Sequence, residues 1–122
     1  MPMSLLPICL QAAFWLALGA VAVLSLLPGP YLPPLAFDVW DKAQHAGAFA
    51  GLAALGLPAY PRQPGRVLLG LLAYGVAIEA AQSATGWRYG DWQDWLADAL
   101  GVLVGWGAWK LWRCRSTQST QP

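Results

Sequence analysis

Charge is what this sequence has least of. Asp, Glu, Lys and Arg together make up 11% of its 122 residues, roughly half the share of an ordinary soluble domain. No basic cluster interleaved with aromatics occurs, so nucleic-acid binding has no support. Cysteine is scarce as well. Cys9 and Cys114 are the two present, and no CxxC or Cys/His spacing suggests zinc. His45 is the single histidine. What abounds is apolar side chain. At 57% hydrophobic residues, a chain this short has more of it than a water-soluble core can hide. The remaining environment is lipid, and the length suits one domain.

A bilayer core takes about 20 apolar residues of helix. Four stretches approach that: Ile8 to Leu27, Ala43 to Leu57, Val67 to Ala84, and Trp95 to Trp112. The first is uncharged and exceeds the ~7–15 residues of a signal-peptide core, with no Lys or Arg before it, so it reads as a retained helix. Prolines at 28, 30, 33 and 34 break the chain after it, because proline cannot continue a helix. The second loop is Pro58 to Gly65 and the third Thr85 to Gly90. The predicted class is all-α, a polytopic bundle of four transmembrane helices. Residues 1–115 form one domain on this reading, and 116–122 a disordered polar tail.

Orientation follows from lysine and arginine in short loops. Arg62 and Arg66 lie in the second loop, and Lys110, Arg113 and Arg115 at the end of the fourth span. With four spans these share one side. Lys42 and Arg88 lie opposite. Five against two predicts both termini in the cytoplasm, which puts Cys9 and Cys114 near the side where thiols stay reduced. Trp40, Trp87, Trp92 and Trp95 then flank the outer side, and Trp109 and Trp112 the inner, the pattern of an interfacial aromatic belt. Sugar stacking on Trp87, Tyr89 and Trp92 is the competing role.

All six acids, Asp38, Asp41, Glu79, Asp91, Asp94 and Asp98, fall on or near the outer side. Glu79 lies five residues before Ala84, ~8 Å below its helix end at ~1.5 Å per residue. His45 and Asp98 sit about a turn inside their own helices. Asp41 and His45 share a helix face, as do Asp94 and Asp98. Glu79 and Gln82 are three residues apart. Ionisable groups inside a span are costly and face the bundle interior, so this converging set is the candidate site. Asp38, Asp41 and Asp91 can equally be helix-end charges that reach the headgroups, and His45 can be neutral polar glue between helices. Lys42 and Arg88 either compensate carboxylates or hold a phosphate. Gly47 and Gly51, and Gly101 and Gly105 with Ala97 before them, are spaced for close helix approach.

Three blocks resemble the VanZ-like family of teicoplanin-resistance-associated membrane proteins. Asp41-Lys42-Ala-Gln-His45-Ala-Gly-Ala-Phe49 resembles its D-K-x-x-H-x-x-x-[FY]. Tyr74-Gly75-Val-Ala-Ile-Glu79-Ala-Ala-Gln82 resembles G-x-x-x-E-x-x-Q. Arg88 followed by Asp94-Trp-Leu-Ala-Asp98-Ala-Leu-Gly101-Val-Leu-Val-Gly105 resembles R…D-x-x-x-N-x-x-G-x-x-x-G, with Asp98 where the family usually has Asn. The resemblance runs from Asp41 to Gly105 and implies an inner-membrane protein of the cell envelope. It lends no reaction.

The expectation is a polar pocket opening outward, acting on or with lipid-linked or amphiphilic envelope molecules; a role in low-level glycopeptide resistance stays open. His45, Glu79 and Asp94 are the candidate acid-base residues if the protein is an interfacial enzyme. Asp41, Lys42, Gln82, Arg88 and Asp98 are the candidate ligand-binding residues. A binding protein is preferred, because no catalytic geometry is forced by the spacing. A proton-coupled transporter ranks last, since the inner half of the bundle has no acid for a second gate. No cofactor is called for by any motif, although a divalent cation on Asp41, His45, Glu79 and Asp94 suits an oxygen-rich set. Expected partners are membrane lipids and a lipid-linked envelope precursor or lipoglycopeptide. The oligomeric state is open.

Overall fold

The computed structural model describes residues 5–31, 39–88 and 90–119. They form four α-helices and no strand: α1 Leu5–Leu26, α2 Val39–Ala59, α3 Pro64–Thr85 and α4 Trp92–Gln118. Local chemistry sets several ends. Pro64 opens α3 at its first turn, and Gly86 closes it in the left-handed conformation, φ 80°, which glycine adopts without a Cβ penalty. Asp91 caps α4: its side chain accepts the Gln93 N–H at 2.9 Å, satisfying one of the orphan donors of the first turn.

Two bounds depart from expectation. Pro58 lies inside the last turn of α2, so the second loop is shorter than its prolines suggest. Ser116 to Gln118, expected in the disordered tail, continue α4. There the Ser116 and Thr117 hydroxyls both donate back to the Arg113 carbonyl at 2.9 Å, so polar side chains join the helix hydrogen bonding rather than ending it.

The helices alternate in direction. Gln11 meets Ala59 and Phe14 packs against Gly56, so α1 and α2 run antiparallel. The Tyr74 hydroxyl donates to the Leu18 carbonyl at 2.5 Å and Gln82 Nε2 to the Ser25 carbonyl at 3.0 Å, so α1 and α3 run parallel. Lys42 pairs with Asp94 and His45 with Asp98, so α2 and α4 also run parallel. The α2–α4 interface is the most extensive, and α1 and α4 do not touch among the described residues. Phe14, Phe49, Leu52, Leu57, Leu71 and Trp109 form the buried centre.

Only one of the two glycine pairs explains the tight contact. A Cβ on Gly101 would stand 3.0 Å from the Ala46 Cα, and one on Gly105 would stand 2.6 Å from the Ala53 Cβ and 2.8 Å from the Ala50 carbonyl oxygen. Gly47 and Gly51 face open space. In α2 it is the alanines of the same stretch that meet the glycines of α4.

The outside of the bundle is apolar. Leu16, Val23, Leu69, Val76, Leu103, Val104 and Leu111 are each more than half exposed. A soluble monomer rarely exposes so much apolar surface. Helices α1 and α3 are long and apolar enough to cross a membrane. Helices α2 and α4 do not reach the same measure.

Candidate functional site

Alternation brings the amino ends of α2 and α4 and the carboxyl ends of α1 and α3 to one end of the bundle. The ionisable residues gather there. Lys42, on the first turn of α2, donates to Asp94 Oδ1 at 2.9 Å and to Asp91 Oδ2 at 3.4 Å. Asp94 is buried, whereas Lys42 is half exposed. One turn deeper, His45 Nδ1 lies 2.8 Å from Asp98 Oδ1. Asp98 is fully buried and the His45 side chain is 9% exposed. An ionised carboxylate can only accept, so with Asp98 ionised the Nδ1–H of His45 donates to Asp98 Oδ1.

Glu79 enters from α3. Its Oε2 accepts the Asp91 backbone N–H at 2.7 Å, which ties the start of α4 to α3. Its other oxygen, Oε1, is buried and has no hydrogen-bond partner among the described residues. One ligand atom each from His45, Glu79 and Asp98 lies within 4.8 Å of the others. Three helices thus deliver an imidazole and two carboxylates to one point. Burying such groups costs several kcal/mol per charge unless they are paired.

Small residues make this approach feasible. Gly75 faces α4 where a Cβ would stand 3.1 Å from Trp95 and 3.2 Å from Asp98 Oδ2. A Cβ on Gly90 would collide with the Glu79 carbonyl oxygen and the Ser83 hydroxyl. Trp95 Nε1 donates to the Leu72 carbonyl at 3.1 Å, fixing α4 against α3 beside the cluster. No motif in the sequence marks Gly90 or the bond made by Trp95. The only signal for Trp95 is its place between Asp94 and Asp98, and a hydrogen bond to a backbone carbonyl leaves no trace in sequence.

The other predicted residues divide. Gln82 is 1% exposed, and its amide nitrogen is engaged by α1 at the Ser25 carbonyl, so it braces α3 on α1. Three residues apart, Glu79 and Gln82 are offset by ~60° around the helix, enough to aim them at different neighbours. Arg88 is half-buried at the same end, and its backbone N–H donates to Thr85 Oγ1 at 3.2 Å. Trp87 donates to the Leu26 carbonyl at 3.0 Å and Trp92 is 69% exposed. Asp38, Tyr89 and the Asp41 side chain lie outside the described residues.

Two charged groups at the rim depart from their ordinary acidity. Asp91 is held below the usual carboxylate range, first by the Gln93 N–H it accepts and then by Lys42. Lys42 is raised above the usual lysine value, chiefly by its hydrogen bond to Asp94.

A cavity of about 330 Å³ lies toward the opposite end, between α1 and α3. Phe14, Trp15, Tyr60, Val67, Leu71 and Tyr74 line it, with Arg66 at its edge. It is apolar and apart from the ionisable cluster.

The VanZ/LLP1 family model matches residues 1–113, which includes every residue of the cluster. The chain belongs to the VanZ/LLP1 family. Membership extends the resemblance of the three blocks to nearly the whole chain. With the apolar helices α1 and α3, it carries the general description of a VanZ-like membrane protein. Comparison with curated proteins returns no match, and neither does comparison with solved structures.

Proposed function

We propose that this protein is a multi-pass protein of the bacterial inner membrane that crosses it four times with both termini in the cytoplasm. Residues 1–115 act as one domain. Its acid-rich end is a polar pocket opening outward, which acts on or with lipid-linked or amphiphilic envelope molecules. One observation carries this reading: His45, Glu79 and Asp98 come from three helices to one level, beneath a rim formed by Lys42, Asp91 and Asp94. Intramembrane ionisable groups of this kind mark functional sites. Arg62, Arg66, Lys110, Arg113 and Arg115 belong to the other end of the bundle, which supports placing that end in the cytoplasm. Arg88 at the rim offers a guanidinium to an anionic headgroup. A contribution to low-level glycopeptide resistance rests on the family alone.

An interfacial enzyme is the second reading, favoured by the 2.8 Å His45–Asp98 contact. A buried carboxylate hydrogen-bonded to an imidazole fixes its tautomer and orientation. His45 and Glu79 are then the acid-base pair, while Asp94, bound to Lys42, holds the rim.

Two measurements test the first reading. A reporter active only outside the cytoplasm is silent when fused after Arg115 and active when inserted at Pro33; the reverse pattern overturns the orientation. Protein extracted in mild detergent retains anionic amphiphiles, identified by mass spectrometry, and Arg88→Gln loses them. Equal retention by folded Arg88→Gln removes the headgroup role of Arg88.

A further inference from the structure

The His45–Glu79–Asp98 cluster carries more acidic than basic groups. It brings two carboxylates and one imidazole together. Asp98 is fully buried and Glu79 Oε1 is a buried atom with no hydrogen-bond partner among the described residues. Lys42 is bound to Asp94 and Asp91 at the rim. Even a protonated His45 leaves one negative charge over. In a low-dielectric interior surplus negative charge is expensive, and a bound cation or a shared proton lowers that cost.

We propose that His45, Glu79 and Asp98 bind one divalent first-row transition-metal cation, with Zn²⁺ and Mn²⁺ as the ions to test. Two carboxylates and a dication sum to zero with the imidazole neutral, which is the form that ligates. The nitrogen donor favours these ions over Mg²⁺ and Ca²⁺, whose shells are oxygen. Ligand atoms around an ion at ~2.0–2.2 Å stand roughly 3–3.5 Å apart. His45 Nδ1 and Asp98 Oδ1, at 2.8 Å, are nearly there. The widest separation, up to 4.8 Å, closes by torsion of the Glu79 side chain, which brings in Oε1. Binding replaces the hydrogen bond between His45 and Asp98: the single imidazole proton moves from Nδ1 to Nε2, which frees the Nδ1 lone pair for the cation. Gly75 leaves room for the Asp98 carboxylate, which a Cβ would crowd at 3.2 Å. Asp98 is also where this chain departs from the motif it resembles, so one anionic ligand belongs to this sequence in particular. Three protein ligands leave positions open for water or for a phosphate-bearing molecule.

The proposal takes from the proposed function only the placement of the cluster. The metal is measured without any lipid ligand, so the two can fail separately. Untagged full-length protein in detergent is stripped with chelator and titrated with Zn²⁺ and, separately, Mn²⁺ by calorimetry. One equivalent of at least one ion binds per chain, and the thermal unfolding temperature rises with ion concentration, because ligands that bind only the folded state stabilise it. His45→Asn and Glu79→Gln, checked for helicity and monodispersity, weaken binding by at least ~tenfold. Glu79→Gln also abolishes the thermal shift. A folded wild type that takes up neither ion, or a Glu79→Gln that binds as wild type does, overturns the site and leaves a shared proton as the balancing charge. The shift in the wild type keeps the test decisive if His45→Asn fails to fold.

Discussion

Lys42 Nζ stands 2.9 Å from Asp94 Oδ1 and 3.4 Å from Asp91 Oδ2, so one ammonium on α2 holds two carboxylates at the start of α4. This contact sorts the acids. Asp94 and Asp98 are one helical turn apart on α4, and either spacing could have offered a carboxylate to His45. With Asp94 held at the rim by Lys42, the deeper Asp98 faces the imidazole. The rim is salt-bridged and partly wet, while the level below is buried and holds the His45–Glu79–Asp98 set.

Stability at the extremes of pH should follow this rim. The Asp91 carboxyl is lowered in the folded state by the Gln93 N–H and then by Lys42. Its contribution is complete above its ordinary value and is lost as pH falls through the lowered one. Lys42 is raised, chiefly by Asp94. Its contribution is complete below the ordinary lysine value and is lost as pH rises through the raised one. Thermal unfolding temperature in detergent should therefore decline below about pH 4 and again above about pH 10. Lys42→Met should flatten the alkaline limb and shallow the acid one. An alkaline limb unchanged in Lys42→Met would show that the pair contributes nothing to folding.

The two glycine pairs make opposite predictions. Gly101→Ala drives a Cβ against the Ala46 backbone, which cannot yield without moving α2 from α4. Overpacking of this kind costs about 1–3 kcal/mol. Gly47→Ala and Gly51→Ala place their methyl groups in open space and remove glycine's entropy cost, a gain of roughly 0.5–1 kcal/mol each. Unfolding temperatures of the three variants in one detergent check this. A Gly101→Ala as stable as wild type would mean that α2 and α4 are not held at this distance.

Much of the cluster is legible from the chain alone. Counting ~1.5 Å per residue from the loops puts His45, Glu79 and Asp98 at similar depth, and costly burial implies that they face inward. What counting cannot supply is rotation about each helix. G-xxx-G spacing marks both α2 and α4, but only the Gly101–Gly105 face turns to its partner, because the side chains on the facing side of α2 are alanines. Glu79 and Gln82 diverge for the same reason, one toward α4 and one toward α1. The partner of His45 depends on the register between α2 and α4, which long-range packing sets and local sequence does not. Helix ends are more legible, since Pro64, Gly86 and Asp91 each act on backbone within two residues of themselves. The exceptions are the end of α2, which carries Pro58 in its last turn, and the end of α4, where hydroxyl groups that favour turns in isolation bond back into the helix.

Trp95 should prove to be a brace for the site. Its indole N–H donates to the Leu72 carbonyl at 3.1 Å, and its ring packs where Gly75 leaves space. Trp95→Phe keeps most of the ring and loses the donor. Hydrogen bonds between membrane helices average about 0.6 kcal/mol, so a small fall in unfolding temperature is expected. Hydrogen exchange should rise at the start of α4, around Asp94 to Asp98, before it rises elsewhere. Uniform change across all four helices would assign Trp95 to general packing.

Glu79→Gln separates function from structure at the centre of the cluster. Glu79 Oε2 accepts the Asp91 N–H at 2.7 Å while Oε1 is buried without a partner among the described residues. A glutamine oxygen can keep the first bond, and its NH₂ group adds donors beside Asp98. The change also removes the cost of burying a charge, so folding without metal should be as stable as wild type or more so. If the carboxylate is there for a cation, a proton or a ligand, that gain comes with loss of function. The check is thermal stability in chelator beside sensitivity of cells to a lipoglycopeptide, for wild type and variant at equal membrane abundance. Stability unchanged or higher together with a lost phenotype identifies Glu79 as a functional group that folding tolerates rather than requires. A full phenotype at equal abundance would reduce Glu79 to a hydrogen-bond acceptor for the Asp91 N–H. The charge imbalance would then be a residue of packing rather than the mark of a site.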